Sequence, residues 1–416
     1  MNKHSGTTTN PFNIVVIVAS LGYFVDIYDL ILFGIVRRPS LMDIGVAEAQ
    51  LKDAGIYLNN MQMIGMMLGG IVWGMLGDKR GRLSVLFSTI LLYSLANIAN
   101  GFVGHSFLGG NSLTAYAWLR VIAGFGLAGE LGIGITLVSE IMTKETRAWG
   151  TTLVAGVGVL GAVLAYFVAK FGWREAYWVG GTLGLFLLGL RIYVNESGMF
   201  AKIKTSSAKR GSFFSLFTSR SKLFKYICCI LVGVPVWYAI GILIFFATEL
   251  GQAIGVVGTI DTGKTIMYHY IGAAIGSILI GFTSQKLQSR KSALIIFIAC
   301  MGIMCAYYLT SSGLSPNGFY FLIFILGIAM GYWALFVTVA SEQFGTNIRS
   351  TVTTTVPNFV RGTTVGMTLW WKSMSVGMGI IHSAMIVGAI VIPLAIIAVL
   401  CLKESHGKDL DYLEID

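Results

Sequence analysis

Charged side chains are scarce in this chain: Lys, Arg, Asp and Glu together make up only 12% of its 416 residues. Soluble globular proteins carry about 25%. Proline is also rare, at 6 residues, whereas glycine reaches 52 and hydrophobic residues 55%. This composition excludes a cytosolic enzyme, a nucleic-acid-binding protein and a disordered chain, and it is typical of closely packed membrane helices.

The few cysteines give no sign of a disulfide framework or a metal site, because they fall in or beside apolar runs without metal-ligand spacing. We interpret all five as small thiols buried among apolar residues: Cys228, Cys229, Cys300, Cys305 and Cys401. The chain also lacks a GxxxxGK[ST] nucleotide loop and any recognisable catalytic triad. We therefore expect no metal, no cofactor, no ATP coupling and no enzymatic activity.

Apolar runs bounded by polar clusters predict twelve membrane-spanning helices, each needing about 20 apolar residues. The runs lie near 12–36, 57–77, 83–104, 113–142, 149–169, 175–194, 226–249, 265–285, 292–311, 318–342, 350–371 and 380–402. We predict an all-α membrane protein made of two six-helix halves. Its predicted parts are the halves 1–194 and 226–402, a basic cytoplasmic linker at 195–225 and a cytoplasmic tail at 403–416.

The basic residues orient the predicted helices. If both termini face the cytoplasm, 20 of the 29 Lys and Arg residues lie on the inner side and 7 on the outer side, with Arg120 and Arg361 inside the membrane. Membrane proteins carry an excess of basic residues on the cytoplasmic side. We therefore expect a protein of the inner (plasma) membrane bilayer with both termini in the cytoplasm. The net charge of +10 then reflects this topology rather than nucleic-acid binding. We also expect a monomer.

An internal repeat supports the division into halves. The segment SEIMTKETR at 139–147 has a counterpart, SEQFGTNIR, at 341–349, which is 202 residues further on. Each copy follows the fourth helix of its half and keeps the Ser-Glu pair and the final arginine. Repeats of this kind are typical of transporters built from two related halves.

Two segments resemble signatures of the major facilitator superfamily. The segment RVIAGFGLAGE, from Arg120 to Glu130, is similar to the fourth-helix pattern of that superfamily, an arginine followed by spaced glycines. The segment GMLGDKRGRL is similar to its loop after the second helix, and the matching residues are Gly74, Gly77, Asp78, Gly81 and Arg82. The resemblance implies a twelve-helix fold in two pseudo-symmetric halves and transport by alternating access.

Within the superfamily, the pattern is closest to the phosphate:proton and metabolite:proton symporters. GYFVDIYDL resembles their acidic first helix, GLAGELGIGITLVSE their fourth helix, and EQFGTNIRST with Arg361 their segment across helices 10 and 11. Two departures argue against phosphate itself: Leu131 replaces the tyrosine of the phosphate carriers, and helix 7 has no intramembrane aspartate. The fifth helix also lacks the Gly-Pro signature of drug antiporters.

Four ionisable residues of the first half are candidates for proton coupling. Asp26 and Asp29 lie about half-way along the first helix, and Arg120 and Glu130 share a face of the fourth. A charge in hydrocarbon is costly, so such residues face a cavity, form a pair or bind a proton. We interpret Arg120 as the partner of a helix-1 acid and Glu130 as a coupling or substrate group. Permanent structural ion pairs are the alternative.

Arg361 is the main candidate for binding substrate. It lies twelve residues into the eleventh helix, hence about 18 Å deep and near the middle of the membrane. Asn358 lies one turn away. Because a guanidinium suits carboxylate or phosphate, a small anion is the expected partner, and an acid of the first half is the alternative. Further candidates for the pocket are His269, Trp237, Tyr238 and Trp333.

The resemblance also implies a charge network at the cytoplasmic helix ends. It would join the halves when the cavity opens outward, and its predicted members are Asp78, Arg82, Glu140, Arg147, Glu342 and Arg349. The prediction is a proton-coupled symporter of a small anionic metabolite, either an organic acid or a phosphate-like anion. The alternatives are an exporter or exchanger, a sugar or amino-acid transporter, and, less favoured, a membrane receptor that does not transport.

Overall fold

The structure is a computed structural model that describes residues 14–80, 82–105, 111–132, 138, 142, 147–190 and 213–407. Within these residues the chain forms twelve helical passages, which we number α1 to α12. Six helical segments are long and apolar enough to cross a membrane, and two shorter ones are also apolar. The all-α membrane fold predicted from the apolar runs is therefore confirmed.

The first half contributes six passages, of which the fifth is broken at Leu160. They are α1 Ile14–Asp43, α2 Leu51–Arg80, α3 Arg82–Asn100, α4 Ser112–Leu127, α5 as Arg147–Val159 and Gly161–Ala169, and α6 Trp173–Leu190. The first helix extends further than its apolar run predicts. Charged residues such as Arg37 ended the predicted run, yet this arginine is buried by packing against the other half.

The second half contains two irregular passages and one merged pair. Its helices are α7 Arg220–Tyr238 with the continuations Ala239–Ile244 and Ala247–Ala253, α8 Thr262–Leu287, α9 Arg290–Thr310, α10 as Pro316–Met330 and Trp333–Glu342, and α11 and α12 as 349–378 and 380–401. Gly379 separates the last two with a φ of 79°. The Trp371 indole donates to the Ile380 carbonyl across that turn, at 2.9 Å.

Four of these helices have a polar residue as their N-cap. The side chains of Asn111, Asp261, Ser289 and Ser315 accept hydrogen bonds from backbone N–H groups in the first turn of α4, α8, α9 and α10. In hydrocarbon, unsatisfied N–H groups are especially costly. These caps therefore help to fix where each membrane helix starts.

Equivalent helices cross closely in both halves. In the first half, a Cβ at Gly124 of α4 would overlap the Gln62 carbonyl of α2. In the second half, a Cβ at Gly276 of α8 would overlap the Ile328 carbonyl of α10. Helices 2 and 4 of one half correspond to helices 8 and 10 of the other. Small residues thus permit the same close backbone contact twice, as expected for pseudo-symmetric halves.

The two halves meet mainly along α2 with α11 and along α5 with α8. Thr368 of α11 donates to Asn60 of α2 at 3.1 Å. Deeper in the bundle, the Asn358 amide donates to the carbonyl of Ala128, just after α4, at 2.7 Å. These contacts position the residues around the centre of the bundle.

Candidate functional site

A small cavity lies between the halves beside Arg361. Its volume is about 30 Å³, and its lining comes from α1, α5, α7, α8, α10 and α11. A space of this size accommodates about one water molecule, whereas pockets for drug-sized ligands measure roughly 300–1,000 Å³. The structure therefore shows the central cavity in a contracted state.

Arg361 is 1% exposed at the wall of this cavity. Its Nη1 donates to Asn358 Oδ1 at 2.9 Å, as the one-turn spacing predicts. Its Cζ lies 5.7 Å from the ring centroid of Trp237 and 5.6 Å from that of Trp333, within cation–π range. None of the ion pairs among the described residues includes Arg361. The guanidinium of Arg361 is thus buried beside an amide oxygen and two aromatic rings.

Irregular helix geometry brings the two tryptophans to the cavity. Trp237 precedes the π-helical segment Ala239–Ile244 and follows Pro235. Trp333 begins the second segment of α10, after the break at residues 331–332. Single π-helical turns inside α-helices are frequent at functional sites. Both predicted pocket tryptophans therefore lie where α7 and α10 depart from regular geometry.

One face of α8 forms the opposite part of the lining, through His269, Ala273 and Ser277. Ser277 donates to the Ala273 carbonyl at 2.8 Å. His269 is 1% exposed, its ring contacts that of Tyr270 edge-on at 5.2 Å, and its Nδ1 has no hydrogen-bond partner. The predicted candidate histidine thus faces the cavity.

Tyr23 links the halves at the cavity, although it was not a candidate from the sequence. Its hydroxyl accepts a hydrogen bond from the Trp333 indole at 3.2 Å. Asp26, one turn further along α1, is fully buried and acts electrostatically on Tyr23. The first of the two candidate acids therefore belongs to the region of the central cavity.

Tyr238, another predicted pocket residue, does not line the cavity beside Arg361. Its hydroxyl donates to the Ala384 carbonyl of α12 at 2.8 Å. It lines a separate apolar cavity of about 410 Å³ with residues of α9 and α12. The structure therefore places this candidate away from Arg361, because neighbouring residues of a helix point in different directions.

Arg120 is the centre of a second buried polar cluster, within the first half. Its guanidinium donates to Gln62 Oε1 and, at 3.4 Å, to the Tyr177 hydroxyl. The Tyr177 hydroxyl is also bonded to that of Tyr116, at 2.8 Å. The Cζ of Arg120 lies 4.6 Å from the ring centroid of Phe33. These uncharged partners on α2 and α6 were not predicted from the sequence.

Asp29 borders the same cluster. It is fully buried, and neither carboxylate oxygen makes a hydrogen bond of good geometry. Its polar neighbours are the Asn97 amide and the positive charge of Arg120. A Cβ at Gly180 of α6 would overlap Asp29 Oδ1, so the carboxylate is tightly enclosed. The predicted acid of α1 thus lies within electrostatic range of the predicted arginine of α4, without an ion pair between them.

Glu130 is 2% exposed and lies two residues after Ala128, whose carbonyl accepts from Asn358 of α11. It is therefore close to the contact between the halves.

For four predicted gating residues, the side chains lie outside the described part of the chain: Asp78, Arg82, Glu140 and Arg147. Glu342 is described and accepts from Arg290 at 3.4 Å and from Ser405 at 2.8 Å. Arg349 is fully buried. The Glu342 contacts lie within the second half and the segment after α12, and they include Arg290, which was not a candidate from the sequence. A role of these residues between the halves stays a prediction.

An ion pair that the sequence did not predict joins the halves at the end of the bundle away from the linker. Arg37 Nη2 lies 2.7 Å and 3.0 Å from the two carboxylate oxygens of Glu249. Neither residue was a candidate for a site from the sequence alone. Their separation of 212 residues gave no local signal.

Comparison with known proteins identifies the family. The profile described as Major Facilitator Superfamily matches residues 14–366. A Haemophilus influenzae protein whose name assigns it to metabolite transport is 29% identical over 362 residues, covering 82% of this chain and 84% of its own. The Escherichia coli 3-(3-hydroxy-phenyl)propionate transporter is 27% identical over 374 residues, covering 84% and 86%.

A solved structure agrees in fold. The proton:xylose symporter XylE aligns with a TM-score of 0.74 at 16% identity, covering 95% of this chain and 97% of that one. The chain therefore belongs to the major facilitator superfamily. It is a multi-pass membrane transporter of small metabolites, not an enzyme.

Proposed function

We propose that this member of the major facilitator superfamily is a proton-coupled symporter that imports a small carboxylate with an aromatic or apolar body. The observation that carries the proposal is Arg361, which is buried at the central cavity and takes part in none of the ion pairs found among the described residues. A lone charge at this depth costs at least about 2.5–3.5 kcal/mol on insertion scales. A substrate anion would offset that cost.

The walls of the cavity favour an organic anion over a compact inorganic one. Trp237 and Trp333 present ring faces to Arg361, and Ile27, Val236 and Ile240 add apolar surface. A guanidinium binds a carboxylate through two parallel hydrogen bonds, while such walls bury an apolar body. The name of the Escherichia coli relative also specifies an aromatic carboxylate.

Asp29 and Arg120 are the proposed proton-coupling pair. The carboxylate of Asp29 is enclosed without full hydrogen bonding, and a buried charge in that situation is costly. Binding a proton removes the charge and weakens its attraction to Arg120. Arg120 would keep its bonds to Gln62 and Tyr177 while its hold on α1 weakens, so α1 can shift relative to α2, α4 and α6. Asp26 and Glu130 are proposed to assist at the contact between the halves.

Alternating access requires the contracted cavity to enlarge around the substrate. The Trp333 to Tyr23 hydrogen bond joins the halves at the cavity, so it must break when they separate there. We place the protein in the inner (plasma) membrane as a monomer with both termini in the cytoplasm. The support for this orientation is the distribution of 20 basic residues on one side against 7 on the other.

Ligand-induced thermal shifts of the purified protein test the proposal. A panel of aromatic carboxylates, aliphatic carboxylates, phosphate, sugars and amino acids is compared on the wild type, Arg361→Lys and Arg361→Ala. The lysine keeps the charge but loses the planar fork, so the carboxylate shift should shrink. The alanine should abolish it.

Lys372→Gln is the matched control, since Lys372 lies on the same helix in an exposed pair with Asp53. It should leave the ligand shift unchanged. A neutral ligand that gives the largest shift, and keeps it in Arg361→Ala, would contradict the proposal.

A further inference from the structure

We propose that His269 is a specificity-determining residue that hydrogen-bonds a hydroxyl group on the body of the substrate. The substrate class would then be hydroxylated aromatic carboxylates, held by Arg361 at the charged end and by His269 at the ring. This inference rests on the proposed function, because it requires Arg361 to bind the carboxylate. It adds a second recognition point that the fold alone does not imply.

The polar atoms of the cavity lining support this assignment. Among the described lining residues, two side-chain atoms are buried without a hydrogen-bond partner: Arg361 Nε and His269 Nδ1. Ser277 already donates to a carbonyl of its own helix, and the Tyr23 hydroxyl already accepts from Trp333. The fully buried side-chain atoms of the lining that lack a hydrogen-bond partner therefore lie on one residue of α11 and one of α8.

A buried ring nitrogen without a hydrogen-bond partner destabilises the folded protein. Leaving a buried polar group without a partner costs roughly 1–3 kcal/mol, so native proteins rarely do so without a functional reason. Neutral imidazole carries one donor and one acceptor nitrogen. Whichever tautomer is present, a hydroxyl can satisfy Nδ1, because a hydroxyl both donates and accepts.

Close packing of α8 against α10 fixes the position of His269. A Cβ at Gly327 of α10 would overlap the backbone carbonyl of His269, so α8 and α10 are in close backbone contact at this residue. The ring is further restrained by its edge-on contact with Tyr270. A side chain on such a packed crossing is held in position before the ligand arrives, as recognition of one hydroxyl requires.

The position of the two groups on different helices constrains the form of the ligand. Arg361 and His269 are on different helices and line one cavity, and apolar side chains such as Ile27 and Ile240 lie among the lining. A ligand that satisfies both nitrogens therefore carries its anionic group and its hydroxyl at separate points of an apolar body. A hydroxylated aromatic ring bearing a carboxylate has this form.

The test is the affinity ratio between hydroxylated and plain ligands on the purified full chain. Dissociation constants are measured for benzoate and for 2-, 3- and 4-hydroxybenzoate by isothermal titration calorimetry. The wild type should bind its best hydroxybenzoate about 10-fold more tightly than benzoate, as one hydrogen bond in a buried site allows. In His269→Phe this ratio should fall to about 1, while benzoate affinity changes by less than about 3-fold.

Two further variants separate recognition from packing. His269→Gln retains a donor and an acceptor, so it should keep part of the preference even if the phenylalanine variant folds poorly. Tyr268→Phe is the control, because the Tyr268 ring stacks on that of Tyr320, with centroids 5.6 Å apart. This variant should leave the ratio unchanged. A ratio near 1 in the wild type, or an unchanged ratio in both His269 variants, would overturn the inference.

The Arg361→Ala variant distinguishes a failure of this inference from a failure of the proposed function. If Arg361→Ala still binds benzoate with wild-type affinity, the carboxylate site is wrong, and the role of His269 in it is overturned as well. If Arg361→Ala loses benzoate while His269→Phe keeps the hydroxyl preference, the carboxylate site stands and only the His269 inference is wrong.

Discussion

Arg37 of α1 and Glu249 of α7 form an ion pair that crosses from one half of the transporter to the other. The guanidinium lies 2.7 Å from the carboxylate, and the two side chains are only 2% and 17% exposed. The Cζ of Arg37 also lies 4.5 Å from the ring centroid of Phe246. Because this pair joins the halves at the end away from the linker, opening the cavity at that end requires the two residues to separate.

We expect Glu249→Gln to weaken closure at that end. Removing one partner of a buried ion pair costs roughly 3–5 kcal/mol, so the population open at that end should increase. The measurement is the labelling rate of Ile240→Cys, a cavity position, by a membrane-impermeant thiol reagent in a background without the native cysteines. The rate should rise several-fold.

Two variants control this labelling experiment. The exchange Arg37→Glu with Glu249→Arg restores opposite charges and should return the rate toward the wild-type value. Lys372→Gln removes an exposed pair, whose members are 43% and 50% exposed and which contributes about 0–1 kcal/mol, so it should change little. Wild-type labelling in Glu249→Gln would show that this pair does not close the cavity.

Gly180→Ala should disturb the proposed proton site. The added Cβ would overlap Asp29 Oδ1 and lie 2.7 Å from the Tyr28 ring, and overpacking of this kind typically costs about 1–3 kcal/mol. We expect a lower melting temperature and slower proton-driven uptake. Gly189→Ala on the same helix has nothing within 4 Å of the added atom and should behave like the wild type. Equal behaviour of both variants would argue against the close contact at Asp29.

Asp29→Asn should uncouple transport from protons. The amide cannot take up a proton and carries no charge for Arg120, so uptake against a gradient should be lost, while exchange of substrate down its gradient continues at a reduced rate. The assay is uptake into proteoliposomes with an imposed pH gradient. Asp53→Asn, at an exposed position, is the control. Wild-type uptake that is insensitive to a protonophore would exclude proton coupling.

Glu404 should make stability depend on pH through the tail segment after α12. Partial burial raises the pKa of its carboxyl, but hydrogen bonds from the Ser289 hydroxyl and from the backbone N–H groups of His406, Arg290 and Lys291 outweigh burial and lower it from 4.5 to about 2. The charged carboxylate therefore stabilises the fold above about pH 4.5, and this contribution is lost as the pH falls toward about 2.

The measurement for Glu404 is the melting temperature of the wild type and Glu404→Gln at several pH values. The variant should be less stable at pH 7, by about 1 kcal/mol for a lost helix cap. The difference should shrink as the pH falls below 4.5. A difference that stays constant down to about pH 2 would contradict the stabilising role of the charged form.

The sequence predicted those features that depend on local pattern. Runs of apolar residues showed the twelve passages, and the one-turn spacing of Asn358 and Arg361 agrees with the hydrogen bond of 2.9 Å between them. The helix that carries Arg361 begins at Arg349, one residue before the predicted start at 350. Burial of Asp26, Asp29, Arg120 and Glu130 agrees with the expected cost of charge in hydrocarbon.

Contacts between distant parts of the chain could not be predicted. Tyr23 and Trp333 are 310 residues apart, and only the packing of the halves brings them together. Trp237 and Tyr238 are adjacent, yet one faces Arg361 and the other α12. A helix turns about 100° per residue, and the π-helical segment that follows changes the register further, so the sequence could not show which of them reaches the cavity.

The most direct measurement of the central claim is the affinity of 3-phenylpropionate against that of its uncharged amide, 3-phenylpropionamide, on the purified wild type and Arg361→Ala. The two ligands have nearly the same shape and differ in charge. A charge-assisted hydrogen bond is worth about 1.5–3 kcal/mol, so the carboxylate should bind the wild type roughly 10- to 100-fold more tightly than the amide, and Arg361→Ala should remove the difference. Equal affinity of the two ligands for the wild type, or a carboxylate preference that survives Arg361→Ala, would contradict the assignment of Arg361 as the carboxylate-binding residue.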